Sequence, residues 1–167
     1  EADGTLRGTF TLTAEGQSDS NIRRIFTTGF QSEWKSTMER QLLTISPKAR
    51  LLSVDYGKNP KDYQAAPIKI TFRYEIPDYA LKGEGEMFFR PMVMNNLYNQ
   101  VRSYLRIDTS VENRKYGFKD GCSRLVELDE MIQLPAGYKL VNAAKNEMMQ
   151  GVGADFEGSL TQKGNKV

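Results

Sequence analysis

From Thr5 to Ala14 apolar and polar residues alternate, with Leu6, Phe10 and Leu12 on one parity and Thr5, Arg7, Thr9, Thr11 and Thr13 on the other. A period of two places these sets on opposite faces of a pleated chain, which predicts a strand with one buried face. The period then lengthens. Ser18, Asp19 and Ser20 offer side-chain oxygens for a helix start, and Ile22, Ile25 and Phe26 follow at helical spacing toward Gly29. A second helix is predicted over Ser32 to Ile45, where Trp34, Met38, Leu42 and Ile45 form one apolar stripe and Pro47 prevents continuation.

From Leu52 the period returns to two, first in Leu52, Val54 and Tyr56, then, after the turn-rich stretch Gly57 to Pro67, in Ile68, Ile70, Phe72, Tyr74 and Ile76. The second run is the clearest strand in the chain. Pro77-Asp78 ends it, and Gly83-Glu84-Gly85-Glu86 separates two short strand candidates, Tyr79 to Lys82 and Met87 to Arg90. Val93 to Leu105 has spacings that fit a helix and flanking residues that fit a loop; it is read as irregular with a helical turn. Val126, Leu128, Ile132 and Leu134 share one parity before the turn Pro135-Ala136-Gly137, and Tyr138 to Val141 resumes a strand-like pattern. A final alternating run, Ala154, Phe156, Gly158 and Leu160, leads to the tight-turn sequence Lys163-Gly164-Asn165-Lys166. Such a turn calls for a pairing strand beyond Val167, so the natural polypeptide is expected to continue and this chain to be a C-terminal fragment of it.

These elements predict a mainly β (α+β) fold: an antiparallel β-sandwich with a helical segment, about 18–46, inserted after the first strand. Residues 1–167 are read as a single domain. Regular alternation of strands and helices is missing, which argues against a doubly wound parallel sheet. The composition fits one core, with 39% hydrophobic residues among 167. Lys and Arg number 23 against 21 Asp and Glu, and a net charge of +2 lacks the imbalance of a nucleic-acid-binding protein. No stretch approaches the roughly 18 apolar residues of a spanning helix.

The chain contains no histidine and one cysteine, Cys122. Without imidazole it cannot assemble a Ser-His-Asp triad or a Cys-His pair, and with one thiol it cannot form an internal disulfide. Cys122 follows the turn signal Asp120-Gly121 and is read as a structural thiol held out of solvent. No catalytic, cofactor-binding or metal-binding residue is assigned, and the chain by itself is not expected to be an enzyme. Glu127, Asp129 and Glu130, and likewise Glu84 with Glu86, read as solvated strand faces rather than acid/base pairs or calcium ligands. Gly151-Val152-Gly153 starts like a dinucleotide loop but fails at Phe156, and it reads as a turn or bulge. Arg23-Arg24 and Arg114-Lys115, near Phe26 and Tyr116, are the adjacent basic pairs; with acidic residues throughout, they do not amount to a nucleic-acid site. Trp34 belongs to an apolar stripe and is assigned to the core. Tyr79, Tyr98 and Tyr104 remain as candidate ligand contacts, for example to a sugar.

Several segments together resemble a known family: Asp3-Gly4-Thr5-Leu6-Arg7-Gly8, the stretch from Gly16 to Arg24, Asn59-Pro60-Lys61-Asp62-Tyr63, Arg114-Lys115-Tyr116 and Leu134-Pro135-Ala136-Gly137-Tyr138. In this order they resemble the domain of unknown function that follows the transglutaminase-like core in large envelope-associated bacterial proteins. Gly117 stands where the family pattern has a proline soon after the Arg-x-Tyr element. The resemblance implies a non-catalytic β-sandwich companion in an extracytoplasmic setting, periplasm or cell envelope. Its implied partner is the upstream papain-like core of the same polypeptide, which would supply the Cys-His-Asp chemistry; no catalytic residue carries over to this chain, and no cofactor or nucleic acid is implied. The alternative is an independent β-sandwich module that binds a glycan or a protein.

Overall fold

A computed structural model describes residues 1–65, 67–92, 113, 115–116, 125–141, 146–151 and 155–167. The fold is α+β and mainly β, with antiparallel pairing and a helical segment inserted after the first strand. The chain divides into two compact units, Gly4–Leu128 and a smaller one formed by Glu1–Asp3 with Asp129–Val167.

In the larger unit, strand β1 (Leu6–Ala14) is followed by helix α1 (Gly16–Thr27), a single 3-10 turn (Gln31–Glu33), helix α2 (Trp34–Leu43), and strands β2 (Arg50–Asp55) and β3 (Ile68–Ile76). β3 lies between β1 and β2 and is antiparallel to both, so the outer strands run parallel and the helices form the crossover between them. The two-residue periodicity of β3 becomes an inward row, Ile68, Ile70, Phe72, Tyr74 and Ile76, in which every side chain is buried. Phe26 of α1 and Trp34, Met38 and Leu42 of α2 join this row in one core with Met92. Each such side chain taken out of water contributes about 1.5–3 kcal/mol. The layer on the sheet's apolar face is therefore helical among the described residues, where the sequence had suggested a second sheet.

The inward side chains of β3 pack with the helices in one core, and Phe72 and Tyr74 also have a strand on each side, whereas Leu6, Phe10 and Leu12 on β1 and Leu51 and Val54 on β2 remain half-buried. Phe10 lies across from Phe72 with ring centroids 4.9 Å apart. Gly8 lies across from Tyr74, whose ring occupies the space a side chain would need; a Cβ there would come within 2.6 Å of the ring carbon bearing the hydroxyl.

The opposite face is polar and follows the same register. Arg7, Glu75 and Arg50 form one row across the strands, Thr9, Arg73 and Ser53 a second, Thr11, Thr71 and Asp55 a third, and Thr13 and Lys69 a fourth. Glu75 accepts the Arg7 Nε at 2.7 Å and lies 3.6 Å from Arg50 Nη1. The Thr11 and Thr71 hydroxyl oxygens are 3.1 Å apart.

Three sequence expectations change in this unit. Helix α1 starts at Gly16, with Glu15 at the N-cap and no side-chain capping bond, so Ser18, Asp19 and Ser20 lie inside the first turns. Asp19 is occupied elsewhere, as described below. Helix α2 is shorter than Ser32 to Ile45 because the 3-10 turn precedes it and tight bonds from Thr44 to Gln41 and Ile45 to Leu42 follow it. In β2 the register slips between Leu51 and Ser53, which places Leu51, not Leu52, across from the core residue Tyr74. Leu52 is 51% exposed because the bulge inverts the parity on which the alternating pattern relied. The short candidates after Pro77-Asp78 form as strands β4 (Leu81–Lys82) and β5 (Met87–Phe88), paired as a hairpin.

The smaller unit contains strands β6 (Glu147–Met149) and β7 (Phe156–Gly158), which pair antiparallel. β7 realises only the middle of the predicted run Ala154 to Leu160, and its partner β6 has no alternating signature. Lys163 and Lys166 close the predicted turn by exchanging backbone bonds at 2.9 and 3.2 Å, with Gly164 at φ +66°. The arm after that turn bonds to the 132–134 segment: Ile132 and Val167 exchange two bonds, at 2.7 and 2.9 Å, and Leu134 N–H donates to the Asn165 carbonyl at 2.8 Å. The predicted strand through Val126, Leu128, Ile132 and Leu134 reduces to this local pairing; Val126 and Leu128 are exposed and unpaired in any described ladder. Tyr138 to Val141 forms no described strand either, and the Tyr138 N–H instead closes a turn onto the Pro135 carbonyl. Apolar alternation supplies a face to bury but not a backbone partner, and a strand requires both.

The bulge in β2 gives a direct prediction. Ile70→Ala should cost about 2–5 kcal/mol in chemical denaturation, whereas Leu52→Ser should change stability by no more than about 0.5 kcal/mol. Comparable losses from both would return Leu52 to the core and remove the bulge.

Candidate functional site

The most constrained polar cluster joins α1, the β2–β3 loop and the start of β3. Asp19 and Arg23 are four residues apart and so share one face of α1. The Arg23 Nε donates to Asp19 Oδ2 at 2.7 Å, and its Nη1 donates to the Asp62 carbonyl at 2.8 Å and the Pro60 carbonyl at 3.3 Å. The other carboxylate oxygen of Asp19 accepts the Ile68 N–H at 2.6 Å, where β3 begins. Arg23 is 1% exposed, and Tyr63 places its ring 6.0 Å from the guanidinium. Within the loop, Asn59 and Asp62 side chains accept the N–H groups of Lys61 and Gln64, which shapes the backbone that presents carbonyls to Arg23.

Burial raises the Asp19 pKa, but the hydrogen bond from Arg23, the Ile68 N–H and the Arg23 charge together outweigh it and hold the carboxyl below its ordinary value. Beside the clamp, Phe26, Trp34 and Tyr56 meet edge to face with centroids 5.2–5.7 Å apart. The Trp34 indole N–H donates to the Phe26 carbonyl at 3.2 Å, and Lys61 Nζ lies 5.7 Å from the Trp34 ring centre. The Tyr56 hydroxyl is buried with no hydrogen-bond partner. Burial, and then the charge of Glu39, push its pKa up.

The arrangement is structural chemistry: its charges and rings face one another. Trp34 sits in the core as the sequence predicted. The Tyr79 hydroxyl donates to the Arg90 carbonyl at 2.6 Å and its ring packs against the core, while Tyr98 and Tyr104 lie outside the described residues, as does Cys122. Of the basic pairs, Arg23 is the buried clamp and Arg24 is exposed; Lys115 lies over the Tyr116 ring at 5.6 Å, both exposed. Gly151 donates its N–H to the Asp155 carboxylate at 3.1 Å, and Val152 to Ala154 lie outside the described residues. Glu84 and Glu86 are exposed at the β4–β5 turn, and Glu127 and Asp129 are exposed outside any described strand. No group of three or more potential metal-ligating side chains converges among the described residues. None of their helices is long and apolar enough to cross a membrane.

What remains open is apolar surface. In the smaller unit Met131, Val141, Met148, Met149 and Phe156 are each more than half exposed, and Leu134 is the one buried residue among those described. Met149 and Phe156 are a cross-strand pair on one face of the β6–β7 hairpin. Exposed methionines beside an aromatic ring form an adaptable apolar surface.

No family model matches this chain, and neither curated proteins nor solved structures give a match.

The clamp and the aromatic cluster generate three predictions. Arg23→Ala should destabilise the fold by about 3–5 kcal/mol, since it strands the Asp19 carboxylate and the Asn59, Pro60 and Asp62 carbonyls. Because the folded Asp19 binds a proton less readily than the unfolded one, its stabilisation is complete well above pH 4 and fades as pH falls through its lowered folded value. Asp19→Asn should therefore flatten stability against pH in acid; a profile unchanged by the substitution would detach Asp19 from the clamp. Tyr56→Phe removes a hydroxyl that makes no bond, so its thermal midpoint at pH 7 should equal or exceed that of the parent. A drop equivalent to more than about 1 kcal/mol would reveal a partner for that hydroxyl.

Proposed function

We propose that this chain is a non-catalytic accessory and interaction domain that packs against a transglutaminase-like core of the same polypeptide, in an extracytoplasmic bacterial setting. The observation that carries the reading is the apolar surface of the Asp129–Val167 part, where among the described residues five large apolar side chains stay exposed and Leu134 is buried. Apolar surface of this kind gains stability when a partner covers it.

The resemblance and the clamp share residues. Two of its segments, Gly16 to Arg24 and Asn59 to Tyr63, are the two halves that Arg23 joins. Residues that must meet in this way would recur together in a family for structural reasons, with no chemistry required of them. The absence of histidine from the sequence fits a companion whose reacting groups reside elsewhere.

The test is to read the complete frame and to produce the preceding segment separately. The expected result is a core bearing Cys, His and Asp that binds the chain and raises its thermal midpoint by about 2–4 °C for each kcal/mol of coupling. Met149→Asp with Phe156→Asp should weaken that binding while leaving the larger unit folded. A frame without such a core, acyl-transfer or hydrolytic turnover by the isolated chain, or specific binding of a glycan array by it alone would each overturn the proposal.

A further inference from the structure

The polar face of the β1-β3-β2 sheet carries two cations that the fold itself does not use. Of its four basic side chains, Arg7 and Arg50 flank Glu75 and are engaged with it. Lys69 and Arg73 are exposed, and among the described residues neither side chain makes a hydrogen bond or ion pair. Both project from the central strand, four residues apart and on the same face, which separates their backbone origins by about 13 Å at roughly 3.3 Å per residue. Hydroxyls surround them: the exposed Thr9 and Ser53 flank Arg73 on either side, the exposed Thr13 lies across from Lys69, and Thr11 with the half-buried Thr71 lies between the two rows.

We propose that this face is a docking surface for an extended acidic polypeptide segment of a partner, laid along β3 with one carboxylate on Arg73 and another on Lys69. Carboxylates at positions i and i+4 of an extended chain share one face and repeat at the same distance of about 13 Å. The intervening threonine hydroxyls both donate and accept, so they suit the partner's backbone amides. Arg73 presents a planar fork to a carboxylate, while Lys69 acts as a mobile point charge. None of the side chains in these four rows is aromatic, so the face lacks the platform on which nucleic-acid bases or sugar rings stack. Asp55 lies across from Thr71, between the rows of the two cations, and accepts the Gly57 N–H at 2.8 Å. Its charge opposes an acidic ligand and sets a ceiling on affinity. This surface belongs to the Gly4–Leu128 unit, and it stands or falls independently of the accessory reading, which rests on the other unit.

The test uses the full chain and a fluorescein-labelled peptide of alternating glutamate and serine, about nine residues or roughly 30 Å when extended, followed by anisotropy at low salt. The peptide should bind, and its glutamine counterpart should not. Lys69→Gln with Arg73→Gln should weaken binding about five- to tenfold, the range expected for losing two exposed charge pairs. Asp55→Asn should tighten it, and Arg24→Gln, an exposed cation on α1, should leave it unchanged. Both face variants alter exposed side chains and should keep the parent's circular dichroism; if the double variant loses it, the comparison of the two peptides and Asp55→Asn still decides. Absence of binding, equal binding of the glutamine peptide, indifference to the double variant, or tighter binding of an oligouronate or a single-stranded oligonucleotide of matched charge would overturn the proposal.

Discussion

One buried guanidinium holds the helical layer, the β2–β3 loop and the central strand in a common frame. An ion removed from water costs several kcal/mol unless its donors are met, and Arg23 meets that demand with one carboxylate and a set of loop carbonyls. Asp19 completes the circuit by spending its second oxygen on the Ile68 N–H. The first residue of β3 is thereby fixed against α1, and the register of the sheet is anchored to the position of the helix. Helix α1 has Glu15 at its N-cap and no side-chain capping bond, and Asp19, inside its first turns, is committed to this long-range contact.

From that anchor the sheet acquires two unlike faces. The inward row of β3 packs with apolar residues of both helices and is buried along its whole length, while the edge strands keep half-buried rows. The outward face has no need of apolar residues and is free to carry charge. Part of that charge is internal, in the Arg7–Glu75–Arg50 row, and part is available to a partner, at Lys69 and Arg73. The division follows from register alone: Glu75 lies opposite both Arg7 and Arg50, whereas Arg73 lies opposite two hydroxyls.

The Asp129–Val167 part is held by different physics. Its backbone groups find partners in the β6–β7 pair and in the bonds joining Ile132 and Leu134 to the chain's last residues. Among the described residues, its large apolar side chains are mostly exposed. Hydrogen bonds between backbones contribute modestly because water competes for the same groups, whereas apolar burial is the dominant favourable term. The surface of this part and the core of the larger unit thus represent opposite balances of the same two forces.

The local pattern by itself determined which residues segregate. Strict alternation located β1 and β3, and the spacing of Trp34, Met38 and Leu42 located α2 and its buried stripe, because a strand and a helix each impose a period that short-range order must obey. The same pattern misassigned Leu52, since a single inserted residue reverses parity and the bulge is decided by the neighbour's register. It extended a strand through Val126 and Leu128 where no described partner runs, and it passed over β6, whose residues do not alternate. Tyr79 was left as a ligand candidate because spacing cannot show that its hydroxyl is taken by the Arg90 carbonyl. Arg23 appeared as half of a basic pair; its one local signal was the acidic residue four positions earlier on the same helical face. Only tertiary structure brought Asp62 and Ile68 to that helix and turned a surface-like ion pair into the buried centre of the fold, because the worth of a charge depends on what surrounds it and not on its place in the chain.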